Sequence, residues 1–548
     1  MKTLLKNGII VDGTGRERFQ ADLLINEEQI EKIGEGLEDP EAEVIDIEGK
    51  IVSPGFIDSH NHADLTILDL PKIEAYILQG ATTLVTGMCG FGITPANDLV
   101  NKYYQNIASR LLSVNPKLSD DLDSFAKKVD AQGISINLAY LIPQGNVRAL
   151  KFGADERPAN EEEIKFMQEV MRKNMEAGAF GMTTGLVYPP GSVTSTEEII
   201  ELAKIVGEYD GVYMSHMRNE GAHVIDVGMD EVFQIARGAN CRAHISHWSV
   251  ISSGTEEMTP KVIQAMTDAR ESGLEVTADV TVYEDAVTPL AFIMFNTWVF
   301  EDFEQNLTDP ASRKRILDEM FEKIDNMFLQ DAPLLIRLIP KFILKRIIFP
   351  VLGKQVSILS CPNNTEIQGM TIYDAIKKLY PDKKIREGLL DLLRDEEGGI
   401  IITLKTKNEE KGIIPLYSLP YVCSCSDGIL VVNPEQNEHP RNYGNFPRVI
   451  QRWVREKGYI SLEEAIRKMT SLPAQILQIP DRGTLKEGYK ADIVVFDYER
   501  IKENGTLENG RQFPDGIEYV FVNGKLTAKK GEHLGVLNGR VLRHKSTP

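Results

Sequence analysis

The sequence has few cysteines and no excess of basic charge, and each shortage excludes a class of protein. Only five of its 548 residues are cysteines, too few and too scattered for a disulfide framework, so buried or metal-bound thiols in a reducing compartment are expected. Basic residues number 61 against 81 acidic ones, a net charge of −20 that argues against nonspecific nucleic-acid binding. Small molecules or proteins are the expected partners. The cysteines are Cys89, Cys241, Cys361, Cys423 and Cys425.

Long apolar runs are also missing. The apolar residues that open the chain are interrupted by Lys6 and Asn7, so no signal peptide is expected. No stretch approaches the ~20 apolar residues that a membrane-spanning helix needs. With 42% hydrophobic and 26% charged residues, the composition is that of a globular protein, long enough for a large domain with satellites. We therefore expect a cytoplasmic protein.

A pair of histidines follows an apolar β-type run, in Ile51-Val-Ser-Pro-Gly-Phe-Ile-Asp-Ser-His-Asn-His62. Residues i and i+2 of a strand share one face, so His60 and His62 point the same way. Two neutral imidazoles at the end of a buried strand are typical of a metal site, and Asp58 or Asp64 could orient a ring. The competing interpretation is a polar strand end that meets water.

Further candidate ligands end other β-type runs. They are Cys89, His216 and His247, and His247 lies nearer the end of its run than His244 does. A thiolate binds zinc well, although a lone buried cysteine is more often a small hydrophobe. Together with the first pair, these residues predict one metal site. The histidines predicted to lie at the surface or outside the ligand shell are His223, His439, His533 and His544.

Asp427 is the candidate for proton transfer. It follows the last β-type run, in Ser424-Cys-Ser-Asp-Gly428. Hydrolysis at a metal needs a group that takes a proton from water and returns it to the leaving group, and a carboxylate can do both. The competing interpretation is an Asx turn that closes a strand.

The centre of the chain alternates between β-type and helical segments. Helical segments such as Glu161–Ala177 and Thr194–Tyr209 separate most of the β-type runs, and eight such runs predict a (β/α)8 TIM-type barrel. In this fold the functional side chains lie at strand ends, where the histidines occur. The eight runs are Ile51–Ser59, Thr82–Thr86, Ile134–Leu141, Phe180–Thr183, Val212–Ser215, Arg242–Ser246, Val276–Thr281 and Tyr417–Cys425.

Both ends of the chain read as short strands with turns. Neither end can bury much core alone, so we expect them to fold together into one small β-sandwich. The predicted division is 1–52 and 479–548 for the sandwich, 53–284 for barrel strands 1–7, 285–412 for a lid insertion, and 413–478 for strand 8 with a closing helix.

The insertion contains an unusual apolar and basic segment at 333–350. Arg337, Lys341 and Lys345 recur at four-residue spacing, and Pro340 predicts a kink. The favoured interpretation is a lid helix packed on the barrel with a solvated basic stripe. A membrane-surface helix and an apolar wall of a substrate channel are the alternatives.

Several motifs together resemble the D-aminoacylases (N-acyl-D-amino-acid deacylases) of the amidohydrolase superfamily, nearly from end to end. The insertion resembles that family only weakly. The motifs are Pro54-Gly-Phe-Ile-Asp-Ser-His-Asn-His62, Thr86-Gly-Met-Cys-Gly90, Gly178-Ala-Phe-Gly-Met-Thr-Thr-Gly-Leu-Val-Tyr-Pro-Pro-Gly191, Ser215-His-Met-Arg218, Ile245-Ser-His247, Ser426-Asp-Gly428, His439-Pro-Arg-Asn-Tyr-Gly-Asn-Phe-Pro-Arg448, Met469-Thr-Ser-Leu-Pro-Ala474 and Ala491-Asp-Ile-Val-Val-Phe-Asp497.

The resemblance implies a zinc hydrolase. It implies one tightly held zinc bound by Cys89, His216 and His247, and a weaker second position formed by His60 and His62 that Cys89 could bridge. Asp427 would then act as base and afterwards as acid. Tyr188 and Tyr283 match positions that line the substrate pocket, and Arg441 matches an arginine expected to hold the substrate carboxylate.

Two features of the sequence depart from this pattern, and a third disfavours a related subtype. Trp248 and Ser249 stand where the family often has His-Lys, which removes a cation and argues against a small polar amino acid as substrate. The spacing from Asp427 to the Pro-Arg motif is stretched, which questions the reach of Arg441. The run 179–185 has no lysine to carbamylate, which disfavours the related hydantoinases and dihydroorotases.

The predicted function is zinc-dependent hydrolysis of the amide bond of N-acyl-D-amino acids, releasing a carboxylate and a free D-amino acid. A dipeptidase or a hydrolase of long-chain N-acyl amino acids is the alternative within the superfamily. A non-catalytic, membrane-associated binding protein is the alternative from another class. Selectivity for the D form rests on the resemblance alone, and the oligomeric state is not predicted.

Overall fold

Eight parallel strands form the centre of the molecule. They come from a computed structural model that describes residues 2–112, 114–153, 155–250, 255–325, 338–405 and 410–545. Helices follow most of the strands, as the alternation of the sequence predicts. The strands are Phe56–Asp58, Ala81–Thr86, Asn137–Tyr140 with its continuation Ile142–Pro143, Gly181–Gly185, Val212–His216, Arg242–Ile245, Val276–Thr281 and Val422–Cys425.

The strand pairing runs around a closed ring. The segment 137–143 joins the two parallel sheets, because its first half pairs with Ala81–Thr86 and its second half with Gly181–Gly185. The ring closes where Asn61 and Gly428 form a parallel bridge. There the N–H of His62 donates to the carbonyl of Gly428 at 2.9 Å. This arrangement agrees with the predicted (β/α)8 barrel.

Most of the predicted strands have bounds that differ by a few residues in the structure, and two of the differences have a clear local cause. The run 51–59 divides at Gly55, where a Cβ atom would lie 2.2 Å from Thr82, so only its second half enters the barrel. The eighth strand starts at Val422, because Tyr417 ends the helix Glu410–Tyr417 and Pro420 lies between them.

The helices around the ring begin at side-chain caps that the sequence indicates. Ser195 accepts a hydrogen bond from the N–H of Glu198 at the start of Thr196–Glu208. Asn160 and Glu163 form a reciprocal capping box at the start of Glu161–Glu176. The other main helices around the ring are Glu74–Ile77, Asp98–Tyr103, Leu122–Gln132, Gln144–Phe152, Asp230–Ala239, Thr255–Glu271, Arg441–Arg448, Leu462–Met469 and Ser471–Ile476.

Both chain ends meet in one nine-stranded sheet of the described residues. Ile51–Pro54 lies between N-terminal and C-terminal strands, because it pairs with Lys2–Ile10 on one side and Ile493–Phe496 on the other. The ends therefore share a sheet, while their arrangement as a sandwich stays a prediction. The remaining strands are Phe19–Asn26, Gln29–Gly34, Ala42–Asp46, Ile517–Val522, Lys525–Lys529 and Glu532–His533.

The insertion carries a small antiparallel sheet of its own. Asp285–Pro289 and Val356–Ser360 both pair with Ile401–Lys405. The helices of the insertion are Leu290–Met294, Trp298–Glu301, Phe303–Asn306, Pro310–Ile324, Lys341–Gly353, Ile372–Leu379 and Ile385–Asp395.

The apolar and basic segment differs from its prediction. Pro340 precedes the first turn of Lys341–Gly353 as its N-cap, so the predicted kink is wrong at this position. Lys341 and Lys345 pair with Asp325 and Asp318 of the insertion at 2.8 and 2.7 Å, so two of the predicted basic residues have carboxylate partners. The predicted part 333–337, with Arg337, lies outside the described residues. No described helix has both the length and the apolar character needed to cross a bilayer.

A buried polar network ties the nine-stranded sheet to the barrel. Asp492 accepts hydrogen bonds from the N–H of Asn523 at 2.6 Å and from Asn137 of the barrel at 3.1 Å, and it forms an ion pair with Arg482. All four residues are at least 95% buried. Removal of the carboxylate would leave the buried guanidinium with only the more distant and exposed Asp481, at 3.8 Å, as a charge partner.

We expect Asp492→Ala to lower the free energy of unfolding by about 3 to 5 kcal/mol, because breaking a buried ion pair strands a charge. Urea titration followed by circular dichroism measures the loss. Glu28→Ala is the matched control, since this carboxylate pairs with Arg540 and Lys490 but is 37% exposed, and about 1 kcal/mol or less is expected. Equal losses in the two variants would contradict the role given to the network.

Candidate metal centre

The predicted metal ligands and Asp427 all lie at or just after the carboxyl ends of barrel strands, on one face of the ring. This face is the one at which barrel enzymes hold their catalytic groups. His60 and His62 follow the first strand, Cys89 the second, His216 ends the fifth, His247 follows the sixth and Asp427 follows the eighth.

The thiol of Cys89 is the common neighbour of three imidazoles. Its Sγ lies 3.2 Å from Nε2 of His60, 3.6 Å from Nε2 of His247 and 3.8 Å from Nδ1 of His216. Burial alone would raise the pKa of this thiol, but the adjacent imidazoles, His60 first, lower that pKa well below its usual value. This shift favours the thiolate, the form that binds metals.

The donor set fits zinc. In a tetrahedral zinc site, bond lengths of about 2.3 Å to sulfur and about 2.0 Å to nitrogen put the two donors roughly 3.5 Å apart. The observed separations from Cys89 to His247 and His216 are close to this value. The ligand atoms of His60, Cys89 and His247 all lie within 4.8 Å of one another, as do those of His60, His62 and Asp427. One thiolate and several imidazoles are typical zinc ligands.

Asp427 faces the histidine pair. Its Oδ1 lies 3.3 Å from Nε2 of His62 and 3.5 Å from Nε2 of His60, and its Oδ2 accepts a hydrogen bond from Arg441 at 3.0 Å. Burial would raise the pKa of this carboxyl, but the charge of Arg441 and the hydrogen bond to His62 lower it well below its usual value. The same carboxylate and Cys89 raise the pKa of His62 to about 10 against its burial.

Three of the clustered residues adopt left-handed backbone conformations. The φ angles are 54° at Cys89, 34° at His247 and 49° at Asp427, which non-glycine residues rarely adopt. Such strain is common at functional sites, where the surrounding contacts fix it. The neighbouring Gly185 has no side chain to obstruct this geometry, because a Cβ there would lie 2.3 Å from the carbonyl oxygen of Cys89 and 2.4 Å from Oη of Tyr188.

Glu220 is a member of the cluster that the motifs did not reveal. It lies 3.2 Å from Nδ1 of His247 and 3.9 Å from Nε2 of His216. A carboxylate on the far nitrogen orients a metal-binding imidazole and fixes its tautomer. The available signal in the sequence was the spacing of four between His216 and Glu220, which alone is too common to be specific.

Asp279 is the second residue that sequence reasoning missed. One carboxylate oxygen accepts the backbone N–H of His247 at 2.5 Å, and the other accepts the hydroxyl of Ser59 at 2.9 Å and lies 3.0 Å from Nε2 of His244. Burial opposes ionisation, but the charge of His244 prevails and lowers the pKa of Asp279 to about 2. His244 thus stabilises the buried carboxylate of Asp279, and this carboxylate in turn binds the backbone of His247.

The two aspartates expected to orient the histidine rings have other partners. Asp58 accepts hydrogen bonds from Asn61 and from the N–H of Ser426, while Asp64 accepts the N–H of Ile93. No hydrogen bond joins either carboxylate to an imidazole among the described residues, whereas the charge of His62 acts on Asp64, so ring orientation by Asp64 stays a prediction. Burial raises the pKa of each carboxyl to about 6.

Tyr188 and Phe292 form an aromatic wall beside the cluster. The ring of Tyr188 lies 5.3 Å from His216 and stacks on Phe292 at 4.2 Å and on Phe91 at 5.2 Å. Phe292 belongs to a helix of the insertion, so the insertion reaches the site. Trp248, next to His247, is 1% exposed. Trp248 thus packs in the apolar core that includes the barrel, so no cation stands at this position.

The other two predicted substrate contacts form a chain that ends at Asp427. Arg441 reaches Asp427 despite the stretched spacing. Its backbone N–H donates to Nδ1 of His439, whose ring packs against Tyr283 at 4.9 Å. The hydroxyl of Tyr283 donates to Glu503 at 2.7 Å. His439 is buried rather than at the surface, and its burial lowers the pKa of the imidazole well below its usual value.

Known amidohydrolases share much of this sequence. A model of the amidohydrolase family matches residues 43–188 and 426–528. A D-aminoacylase of Alcaligenes xylosoxydans xylosoxydans is 29% identical over 550 residues, which cover 98% of this chain and 97% of the relative. The chain is therefore similar to amidohydrolases, in these two segments to the family model and nearly from end to end to the D-aminoacylase.

Solved structures of amidohydrolases have the same fold. An N-acyl-D-glutamate deacylase from Bordetella bronchiseptica, complexed with zinc and a phosphonate inhibitor, matches with a TM-score of 0.79 and 27% identity over 99% of each chain. A D-aminoacylase whose binuclear metal centre shows one-metal activation and second-metal attenuation matches with a TM-score of 0.78 and 26% identity over 99% of each chain. The agreement supports a TIM barrel with a second domain.

We expect Asp279→Ala to weaken zinc affinity by about 10- to 100-fold, the usual loss when an outer contact of a metal ligand is removed. Its carboxylate is the acceptor that holds the strained backbone of His247. Competition with a chromophoric chelator measures the affinity. Asp391→Ala is the matched control, because this equally buried carboxylate pairs with Arg313 and Lys383 in the insertion. A zinc affinity unchanged by Asp279→Ala would contradict the role of Asp279.

Proposed function

We propose that the protein is a zinc-dependent N-acyl-D-amino-acid deacylase, which hydrolyses a linear amide to a carboxylate and a free D-amino acid. The observation that carries this function is the approach of His216 and His247 to Sγ of Cys89, at 3.8 and 3.6 Å. His60 groups with Cys89 and His247, and Asp427 groups with His60 and His62. The D-aminoacylase and N-acyl-D-glutamate deacylase relatives support the substrate class and its stereochemistry.

Cys89, His216 and His247 would hold the tight zinc, and His60 and His62 the weaker second position that Cys89 could bridge. A zinc ion in this site would polarise the amide carbonyl and lower the pKa of a coordinated water toward about 7. Glu220 and Asp279 keep the two ligand histidines oriented by the contacts described above.

Asp427 performs the proton transfers. An ionised carboxylate at this position can accept the proton of the attacking water. The same carboxyl then delivers this proton to the amide nitrogen as the C–N bond breaks, which releases a neutral amine. Arg441 fixes one oxygen of Asp427 at 3.0 Å and leaves the other toward the histidines.

Arg441 would also bind the substrate carboxylate, because a guanidinium has five donors and Asp427 engages only Nη1 in the described contacts. Tyr188 lines the pocket from the side of His216. Tyr283 acts at one remove through His439 and Arg441.

A preference for long or aromatic acyl groups is the second candidate, and the stack of Phe91, Tyr188 and Phe292 favours it. A buried methylene contributes about 0.8 kcal/mol. Contact between the acyl chain of the substrate and these rings would therefore favour long apolar acyl chains over acetyl.

We further propose that the insertion 285–412 closes over the site as a lid, and that 1–52 with 479–548 form the small second domain, with 53–284 and 413–478 as the barrel. Phe292 beside Tyr188 supports the lid. We also propose a cytoplasmic location, since all five cysteines are unpaired, as is usual in a reducing compartment.

Asp427→Asn is expected to keep its zinc and to lower kcat by roughly 10²- to 10⁴-fold, because the amide cannot accept the proton. His216→Ala should instead lose zinc. Elemental analysis of both variants separates the two effects, and activity on N-acetyl-D-methionine gives the rate. An Asp427→Asn enzyme with ordinary turnover would refute the assignment of the base.

A panel of N-acetyl and N-octanoyl derivatives of D- and L-leucine tests the substrate. We expect cleavage of the D forms and about tenfold or higher kcat/KM for octanoyl over acetyl, from the apolar burial of the longer chain. Phe292→Ala should remove the octanoyl advantage and leave the acetyl rate. Equal rates on both acyl lengths would rule out the acyl preference, and exclusive cleavage of L forms would overturn the D assignment.

A further inference from the structure

The helix Lys341–Gly353 of the insertion presents a row of large apolar side chains to solvent. The described part of the chain has fifteen exposed large apolar residues, and five of them lie in this helix or just before it, within positions 338–351. A cluster of this kind marks an interaction surface more often than isolated exposed residues do. The five residues, called the apolar face below, are Leu338 at 68% exposure, Phe342 at 64%, Ile343 at 38%, Ile347 at 42% and Val351 at 50%.

The fold buries a different set of apolar side chains of this helix. Leu344, Ile348 and Phe349 are buried and join the apolar core of the insertion. A helix that is apolar on all sides normally lies inside a protein or a membrane. The exposed side of this helix therefore lacks the apolar environment that its composition calls for.

Positive charge borders the apolar face. The stretch 338–354 has four basic residues and no acidic one, in a chain whose net charge is −20. Lys341 and Lys345 pair with acidic residues of the insertion. Arg346 and Lys354 are exposed and have no carboxylate partner among the described residues, and Lys354 lies over the ring of Tyr373.

We propose that this helix docks the protein on the surface of a bilayer that carries anionic headgroups. Helices that lie in the plane of the membrane–water interface have Phe, Leu and Ile on the side that enters the lipid and Lys and Arg beside them, which is the composition of this helix. Basic residues attract anionic lipid over about one Debye length, which confines the attraction to this helix despite the negative total charge.

Two other occupants fit less well. A second copy of the chain in a two-fold contact would bring Arg346 and Lys354 against the same basic residues, which is repulsive. Insertion across the bilayer is excluded by length, because thirteen helical residues span about 20 Å, less than the ~30 Å hydrocarbon core. The inference rests on exposure and charge, and it is independent of the proposed function.

Flotation of the full-length protein with lipid vesicles tests the proposal. We expect the protein to float with vesicles of phosphatidylcholine and phosphatidylglycerol, to float less at high salt, and to remain unbound with phosphatidylcholine alone. The double variant Phe342→Ser/Ile347→Ser and the double variant Arg346→Glu/Lys354→Glu should each lower the bound fraction by about tenfold or more. Their melting temperatures and their hydrolysis of a soluble substrate should stay unchanged, because these side chains face solvent.

Phe513→Ser/Leu534→Ser is the matched control. These side chains are 42% and 45% exposed but lie outside the insertion, so this variant should float like the unmodified protein. Absence of flotation with anionic vesicles, or equal flotation of the unmodified protein and the Phe342→Ser/Ile347→Ser variant, would overturn the proposal. Concentration-dependent dimers that disappear in that variant, without vesicle binding, would instead assign the apolar face to a second copy.

Discussion

The site depends on the contacts of the buried Cys89 sulfur with three imidazoles. This sulfur gathers His60, His216 and His247 within 3.8 Å, although these residues come from the ends of three other strands. Buried negative charge is costly unless cations or a metal neutralise it. A zinc ion would neutralise it and would occupy the place where the imidazoles converge, so folding and metal binding are coupled at this point.

The backbone around the thiolate is held in place from below. Cys89, His247 and Asp427 are left-handed, and each has a hydrogen bond to a residue from another part of the barrel. The carbonyl of Cys89 accepts from the hydroxyl of Tyr188, the N–H of Asp427 donates to the carbonyl of His60, and the N–H of His247 donates to Asp279. Asp279 is the clearest example. Its carboxylate accepts a hydrogen bond from Ser59, next to His60, and another from the backbone N–H of His247, so it connects the ends of the first and sixth strands. The barrel thus supplies rigidity where the loops would otherwise relax the strain.

The sequence predicted those parts of the site that follow from local periodicity. The alternation along a strand and the position of function at strand ends were sufficient to select His60, His62, Cys89, His216, His247 and Asp427 as candidates. Glu220 and Asp279 were missed, because their importance comes from packing across the ring; Asp279 and Ser59 are 220 residues apart. The start of the eighth strand and the exposed side of Lys341–Gly353 were likewise set by tertiary contacts, which composition does not reveal.

Zinc-edge X-ray absorption of the purified protein tests the central claim most directly. The account predicts one sulfur scatterer at about 2.3 Å together with nitrogen ligands at about 2.0 Å, and loss of the sulfur contribution in Cys89→Ser. A zinc spectrum without sulfur, or one that Cys89→Ser leaves unchanged, would contradict the arrangement of the metal centre around Cys89.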